Sequence, residues 1–418
     1  MQTRLSPEFA GTPEGLEAEA ILRKCVHCGF CTATCPTYQL LGDELDGPRG
    51  RIYLMKQVLE GEKPTRKTQM HLDRCLTCRN CESTCPSGVQ YGHLLDIGRK
   101  IVDAKVPRPT PEKALRWALK EGLPSPLFAP AMKMGQAVRG LLPAALQAKV
   151  PAKQEAGAWP TRSHARKVLM LAGCVQPSMM PNINAATARV LDAAGIQTVI
   201  APKAGCCGAV KFHLNDQDGG RAEMRANIDA WWPMIASGEV EALVMNASGC
   251  GVTVREYGHF LKDEPAYAAK AQRIGELTRD LSELLPAIVA ALRQSRPDRV
   301  PGPPAGDAGA GRHLAFHPPC SLQHGQQLRG GVEQHLAAFG FKVQVARSES
   351  HLCCGSAGTY SVLNPDLSHQ LRDRKLGHLG ELEPDVIVSA NIGCITHLQS
   401  GTPTPVRHWV EVLDEHLR

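Results

Sequence analysis

Cysteine spacing constrains this chain more than any other feature. Two segments, CVHCGFCTATCP at 25–36 and CLTCRNCESTCP at 75–86, both read C-x2-C-x2-C-x3-C-P. Three thiolates so close together let one tight loop wrap three corners of a compact metal–sulfur core while its amides point inward, and the fourth ligand comes from elsewhere. The competing reading of C-x2-C pairs is zinc. Four crowded cysteines, given twice and each set followed by proline, suit a cubane better. Disulfide staples do not explain the 16 cysteines, because 418 residues with 43% hydrophobic content bury sizeable cores unaided.

The same run marks the bacterial ferredoxins, and in those with two clusters the last cysteine of each run ligates the other cluster. Carried onto this chain, Cys25, Cys28, Cys31 and Cys85 hold one [4Fe-4S] cluster, and Cys75, Cys78, Cys81 and Cys35 hold the second. Such sharing keeps the clusters close enough for electrons to pass between them. Arg23, Lys24, Arg49, Arg51, Arg74 and Arg79 lie near the runs in sequence and are expected to raise the reduction potential by offsetting negative cluster charge. Each cluster handles one electron at a time, which implies a two-electron partner.

Three parts separate along the chain. Residues 1–105 hold both runs, joined by GPRGRIYLMKQVLEGEK at 47–63, where Ile52, Leu54, Met55, Val58 and Leu59 recur at helical intervals behind Pro48. Residues 106–165 are rich in Pro, Ala and Lys and read as a linker with short helical stretches, EKALRWALKEG and MKMGQAVRGLLPAALQAK. Basic residues among Leu, Val and Trp suit a membrane surface, although such a stripe is more often ordinary core packing. The remainder is an internal repeat. Cys174, Cys206, Cys207 and Cys250 within 166–295 are answered within 310–418 by Cys320, Cys353, Cys354 and Cys394, at displacements of 146, 147, 147 and 144 residues. Leu214-Asn215 answers Leu363-Asn364, and Arg225 answers Arg374.

Strand-like runs lead to these cysteines and alternate with helical segments at 182–194, 220–237 and 366–379. That alternation predicts two α/β units with parallel sheets whose strand ends carry the cysteines. The expected fold class is α+β multidomain, a helical two-cluster domain followed by two repeated α/β units. The Pro/Gly-rich stretch 296–312 separates the copies, and its GDAGAG precedes a strand instead of following one, so it fails the dinucleotide-binding test. The eight repeat cysteines read either as a further metal–sulfur or redox centre or as small buried apolar residues; adjacent cysteines in both copies favour the first. His317, His324, His351 and His397 lie near the second set and read as surface or capping histidines.

On these residues the chain resembles, over nearly its whole length, the bacterial glycolate oxidase iron-sulfur subunits and, more broadly, proteins that join a two-cluster ferredoxin domain to two cysteine-rich "CCG" domains. The resemblance carries the eight ferredoxin cysteines and both CCG sets. Relatives include the iron-sulfur subunit of anaerobic glycerol-3-phosphate dehydrogenase, lactate-utilisation proteins and heterodisulfide reductase subunits. In the last group the repeat ends in C-x2-C and binds a non-cubane cluster; here Ala247 and Asn391 stand where the first cysteine of that pair would be. The resemblance implies a relay with no catalytic residue of its own. FAD-bearing glycolate oxidase subunits would take a hydride from glycolate, or D-lactate, giving glyoxylate or pyruvate, and this chain would pass the electrons singly to a quinone or another carrier. No flavin motif occurs in the chain. The rival readings are the same relay serving glycerol-3-phosphate or lactate, a thiol or disulfide reductase centred on the CCG cysteines, and a zinc scaffold.

The opening MQTRLSPEFAGTPEG has neither an apolar h-region nor a twin arginine, so a cytoplasmic protein is expected. No apolar run is long enough to span a bilayer, which leaves peripheral contact with the inner face of the cell membrane. The net charge of +6, from 47 basic and 41 acidic residues spread along the chain, reads as a solvated surface and excludes nucleic acid as a partner.

Overall fold

The computed structural model describes residues 1–143, 147, 150–303 and 312–418. Between the two cysteine runs lies the helix Pro48–Leu59, with Pro48 in its first turn, where a missing N–H costs nothing. Its face of Ile52, Met55, Val58 and Leu59 is buried. Packed with it are Leu94, Leu95, Ile101 and Val102 of helix Tyr91–Lys105, and Ile21 and Leu22 of helix Pro13–Lys24. This apolar core sets the two cysteine loops side by side.

Both repeats are parallel sheets. In the first, β1 (Arg166–Met170), β2 (Ile196–Val199), β3 (Ala242–Met245) and β4 (Thr278–Asp280) run in the order β2-β1-β3-β4. In the second, β5 (His313–His317), β6 (Lys342–Val345), β7 (Val386–Ser389) and β8 (Val406–His408) repeat it as β6-β5-β7-β8. The inner strands are near-continuous apolar runs, as sheets covered on both faces require. The expected helices form at Pro181–Ala193, Gln217–Ala236 and Pro365–Gly380.

The repeats do not fold as separate beads. One core runs from Val168 and Val244 of the first sheet through Ile183 and Ile288 to Phe316 and Trp409 of the second repeat. Helix Pro181–Ala193 packs on the C-terminal helix Trp409–Leu417, pinned by Arg189 to Asp414 at 2.8 Å. The Ser248 amide donates to the Ala390 carbonyl at 3.0 Å, and the hydroxyls of Ser248 and Ser321 meet at 2.7 Å. His408 seals the join: its Nε2 donates to the Asn246 carbonyl at 2.9 Å while Nδ1 accepts the Val410 amide at 3.1 Å.

Residues 106–165 contain the helices Thr110–Gly122 and Phe128–Ala137, and neither buries a single residue. Core packing is therefore not the reason for their apolar stripe. Arg108 and Arg116 tie the first of them to Asp73 at 2.6 and 3.1 Å, while Trp117 and Leu127 stay 63% and 75% exposed. Part of MKMGQAVRGLLPAALQAK and the whole of GDAGAG lie outside the described residues. No helix among the described residues is long and apolar enough to cross a membrane.

Burial holds the His408 imidazole down to about 3, against about 6.5 in an unfolded chain. The unfolded chain thus takes up a proton that the folded one refuses, and stability falls as pH drops from about 6.5 toward 3. A His408→Gln variant has no such titration. Relative to the wild type it should gain about 1.4 kcal/mol between about pH 8 and pH 5.5, read from urea unfolding at the two pH values. A gap that does not change with pH would contradict a neutral, buried His408.

Candidate metal centres

The two cysteine runs follow the same strained path. In the first, His27 and Gly29 have φ of 57° and 85°; in the second, Thr77 and Arg79 have φ of 54° and 59°. Left-handed backbone is costly away from glycine, and most of all for a β-branched residue such as Thr77. Turns of this kind aim successive N–H groups at one point, an arrangement that suits anionic phosphate and iron–sulfur groups. The Thr77 amide lies 3.4 Å from Cys75 Sγ. Each run then enters a short helix, Phe30–Ala33 or Asn80–Thr84.

The loops bound two cavities, and they do so crosswise. One is lined by Cys25, Cys28 and Cys31 of the first run and Cys85 of the second; the other by Cys75, Cys78 and Cys81 with Cys35. Pro48, Cys81 and Tyr91 border both, so the two cavities are neighbours. The first cavity thus gathers Cys81 besides the four thiols expected from the sequence, the second gathers the four expected there, and all eight cysteines are free of disulfides. Burial and the neighbouring Cys25 push the Cys31 thiol up to about 11, and burial with Cys320 nearby raises Cys78 well above the ordinary thiol range. Such thiols stay protonated unless a metal ion replaces the proton. Disulfide-free sulfurs, apolar walls and an amide turned toward Cys75 Sγ fit a cubane cluster.

Charge around the second cavity is built into the core. Asp46, wholly buried, accepts from Arg51 at 3.3 Å and Arg74 at 2.9 Å, and His71 Nδ1 lies 3.1 Å away. Arg51, 1% exposed, donates to the His71 carbonyl at 2.7 Å and to Thr37 Oγ1 at 3.2 Å, and that hydroxyl stands 3.3 Å from Cys35 Sγ. Arg99, which sequence reading missed, straps the second loop through the carbonyls of Leu72 and Cys75, each at 2.7 Å. The Tyr91 hydroxyl lies 3.7 Å from Cys75 Sγ. Arg49 lines the first cavity and pairs with Glu44. Arg23 and Lys24 turn away to Glu19 and Gln90, so nearness in sequence did not bring those two cations to the thiols. Arg79 borders the second cavity but spends its charge on Glu82 and Glu256 at 2.8 and 2.6 Å.

In each repeat the cysteines gather beyond the carboxyl ends of the strands, at the switch point between β1 and β3 or β5 and β7, where open parallel sheets place their sites. Cys250 and Cys394 do not close β3 and β7, as the sequence suggested, but sit in the first turns of helices Ser248–Arg255 and Ile392–Gln399. The glycine after each cysteine pair has a steric cause. Gly208 has φ 91°, and a Cβ there would meet the Gly220 carbonyl oxygen at 2.7 Å; Gly355, at φ 89°, faces the Ser368 carbonyl in the same way. In the first repeat, interaction with Cys174 and Cys207 pushes the Cys206 thiol down, while burial and Cys206 raise the Glu223 carboxyl to about 8. Asn227 and Tyr257 donate to the carbonyls of Cys206 and Cys207 at 2.6 and 2.9 Å. In the second repeat, Cys320 Sγ lies 3.8 Å from Cys353 Sγ, and Cys354 interacts with Cys394.

Of the histidines expected at the surface or in caps, none of the four is exposed: His317, His324 and His397 are buried and His351 half-buried. His324 and His397 bridge separate elements, where a chain-local reading has no view. His324 receives the Ser83 hydroxyl at 2.8 Å and donates to the His351 carbonyl at 2.8 Å; Asn80 donates to that same carbonyl at 3.2 Å. Helix Asn80–Thr84 thereby docks on the second repeat, and Cys78 packs in one buried cluster with Leu76, Cys353 and Tyr360. The first repeat is held through Arg79 and Glu256 and through a His93–His259 stack at 3.8 Å.

A helical unit with two crossed cysteine runs, seated on paired parallel sheets with cysteines at their strand ends, defines an iron–sulfur protein of several cysteine sites. Residues 21–89 match the 4Fe-4S dicluster domain, and residues 168–255 and 314–399 match the cysteine-rich (CCG) domain. The chain is 55% identical to the glycolate oxidase iron-sulfur subunit of Escherichia coli (strain K12), over 100% of this chain and 99% of that one. It is 30% identical to a probable glycolate oxidase iron-sulfur subunit of Bacillus subtilis (strain 168), over 92% and 89% of the two chains. With lactate utilization protein A of Bacillus licheniformis it shares 26% identity over 59% of this chain and 99% of the relative. The chain belongs to the family of glycolate oxidase iron-sulfur subunits.

Removing one partner of a buried ion pair costs about 3–5 kcal/mol, whereas an exposed pair contributes under about 1 kcal/mol. In urea unfolding, Arg51→Leu should lower stability by about the first amount and Arg23→Leu by no more than the second. Equal losses would show that the Asp46 network contributes nothing special.

Proposed function

We propose that this chain is the electron-relay subunit of a glycolate-oxidising complex, receiving electrons from FAD-bearing partner subunits that oxidise glycolate or D-lactate, and delivering them to a quinone or another carrier. The observation that carries the reading is the pair of crosswise cavities with a shared wall of Pro48, Cys81 and Tyr91. Cys25, Cys28, Cys31 and Cys85 would hold one [4Fe-4S] cluster, and Cys75, Cys78, Cys81 and Cys35 the other. Bound there, the clusters supply reversible uptake and release of single electrons.

The chain's own residues do the rest. The bent loops direct amides at the sulfur positions, and Pro48 and Tyr91 keep water from the space between the sites. Arg51 and Arg99 set positive charge against the inner set, which favours the more negative, reduced state. Cys28 is exposed, and Val26 and Phe30 beside it are 68% and 61% exposed, whereas Cys78 faces the second repeat. This gradient supports transfer from the surface at Cys28 inward to Cys78, with the CCG cysteines as a further metal–sulfur centre. The working units are 1–105, the linker 106–165, and CCG domains at 166–295 and 310–418. The exposed apolar side of 110–141, with Lys113 and Lys133 exposed on it, supports peripheral contact with the cytoplasmic face of a membrane. Likeness to lactate utilization protein A supports the same relay in a lactate-oxidising complex, a difference that resides in the partner.

In anaerobically purified full-length protein, Cys85→Ser should abolish the same EPR signal as Cys25→Ser, and Cys35→Ser the same signal as Cys78→Ser. Loss of the signal belonging to the variant's own run would overturn the crosswise assignment. Co-purification with a flavoprotein, followed by reduction of the clusters on adding glycolate, tests the substrate; reduction by lactate alone would reassign it.

A further inference from the structure

His317 is the last residue of β5 and is 1% exposed, yet neither ring nitrogen has a hydrogen-bond partner. A buried imidazole with both nitrogens unpaired forfeits its hydration and receives nothing in exchange. What surrounds it is sulfur: a ring nitrogen and the Sγ atoms of Cys354 and Cys394 all lie within 4.8 Å of one another. Cys354 interacts with Cys353, whose Sγ is 3.8 Å from that of Cys320, so the four thiols form one row with the imidazole at its Cys354–Cys394 end. Lys375, 2% exposed, brings an ammonium to Cys353 and Cys354 and anchors it on the Glu349 carbonyl. A buried cation among thiols is the charge balance that an anionic metal–sulfur group needs.

The first repeat lacks both features. Leu171 stands three residues before Cys174, as His317 stands before Cys320; Ile228 follows Gly208 by the same twenty residues that separate Lys375 from Gly355. The difference is therefore specific to the second copy and is not a requirement of the fold. We propose that the second repeat holds an iron–sulfur centre in which His317 is a nitrogen ligand beside thiolates from Cys320, Cys353, Cys354 and Cys394, with Lys375 as its counter-charge. This rests on the reading of the CCG cysteines as a metal–sulfur site and adds to it a ligand outside the cysteine pattern. Imidazole and thiolate together suit iron or zinc. Iron is assigned because Cys78 packs in the same buried cluster as Cys320 and Cys353, where a redox-inert ion would have no use. The exchange is a single electron, lost at the Cys75–Cys78–Cys81–Cys35 site and gained at the His317 site, with no bond made and no proton moved.

The test uses the full chain, purified anaerobically from cells grown with 15N-histidine, with iron and zinc analysis and pulsed EPR of the reduced protein. The expected result is more than the roughly eight irons of two cubanes, together with a third signal carrying 15N hyperfine coupling. His317→Leu, which installs the first repeat's residue, should retain the two ferredoxin signals and lose the nitrogen coupling, with a shifted midpoint potential for the third. A third signal with no nitrogen coupling, unchanged in His317→Leu, would overturn the ligand assignment while leaving a CCG centre in place. Iron that stops at about eight, or zinc in the second repeat, would overturn the centre itself; the wild-type coupling decides the point even if the variant does not fold.

Discussion

Each cysteine loop lines its own cavity with three of its thiols and shares that cavity with thiols of the other run, and most of the N-terminal architecture follows from that. Cys85 serves the cavity of the first run and Cys35 that of the second, so the loops must be held back to back. Helices Pro48–Leu59 and Tyr91–Lys105 supply the holding through an ordinary apolar interface. Because the loops carry strained residues, His27 and Thr77 among them, that interface also offsets the backbone cost at the site. The buried Arg51–Asp46 pair is tolerated on similar terms: it adds little to stability as a replacement for apolar packing, but it puts a fixed charge beside Cys35 that no surface residue could.

What was legible in the sequence was what is local. Ligand spacing within a run, the helical interval of Ile52 to Leu59 and the recurrence of Cys-Cys-Gly at a fixed displacement each depend on neighbours along the chain. The strands β4 and β8 escaped because TRD and VRH are three residues long and too polar to show a period; they form only because β3 and β7 present open edges. Arg99 escaped because its target loop lies more than twenty residues away, and the inward histidines because burial at a join depends on two elements at once. One signal was present and unread: aligning the copies puts His317 opposite Leu171, and a polar residue facing an apolar one at the end of a buried strand calls for a reason.

The repeats share one core, and that has let their sites diverge. With His408 and the Arg189–Asp414 pair closing the join, stability belongs to the pair of sheets together. Either copy can then admit a buried polar residue that a free-standing domain of its size would tolerate poorly. Glu223, its carboxyl raised to about 8, lies beside the first cysteine pair, whereas Lys375 lies beside the second, where the first copy has Ile228.

The gradient of exposure from Cys28 to Cys78 also fixes an order of decay. Sulfur oxidation follows exposure and thiolate character, so an oxidant arriving from solution meets the rim of Val26, Cys28 and Phe30 first. The inner set, packed against Leu76, Cys353 and Tyr360, is less exposed than Cys28 and is met later. Damage in air therefore begins at the outermost thiols and disconnects the wire from outside while its interior is still intact.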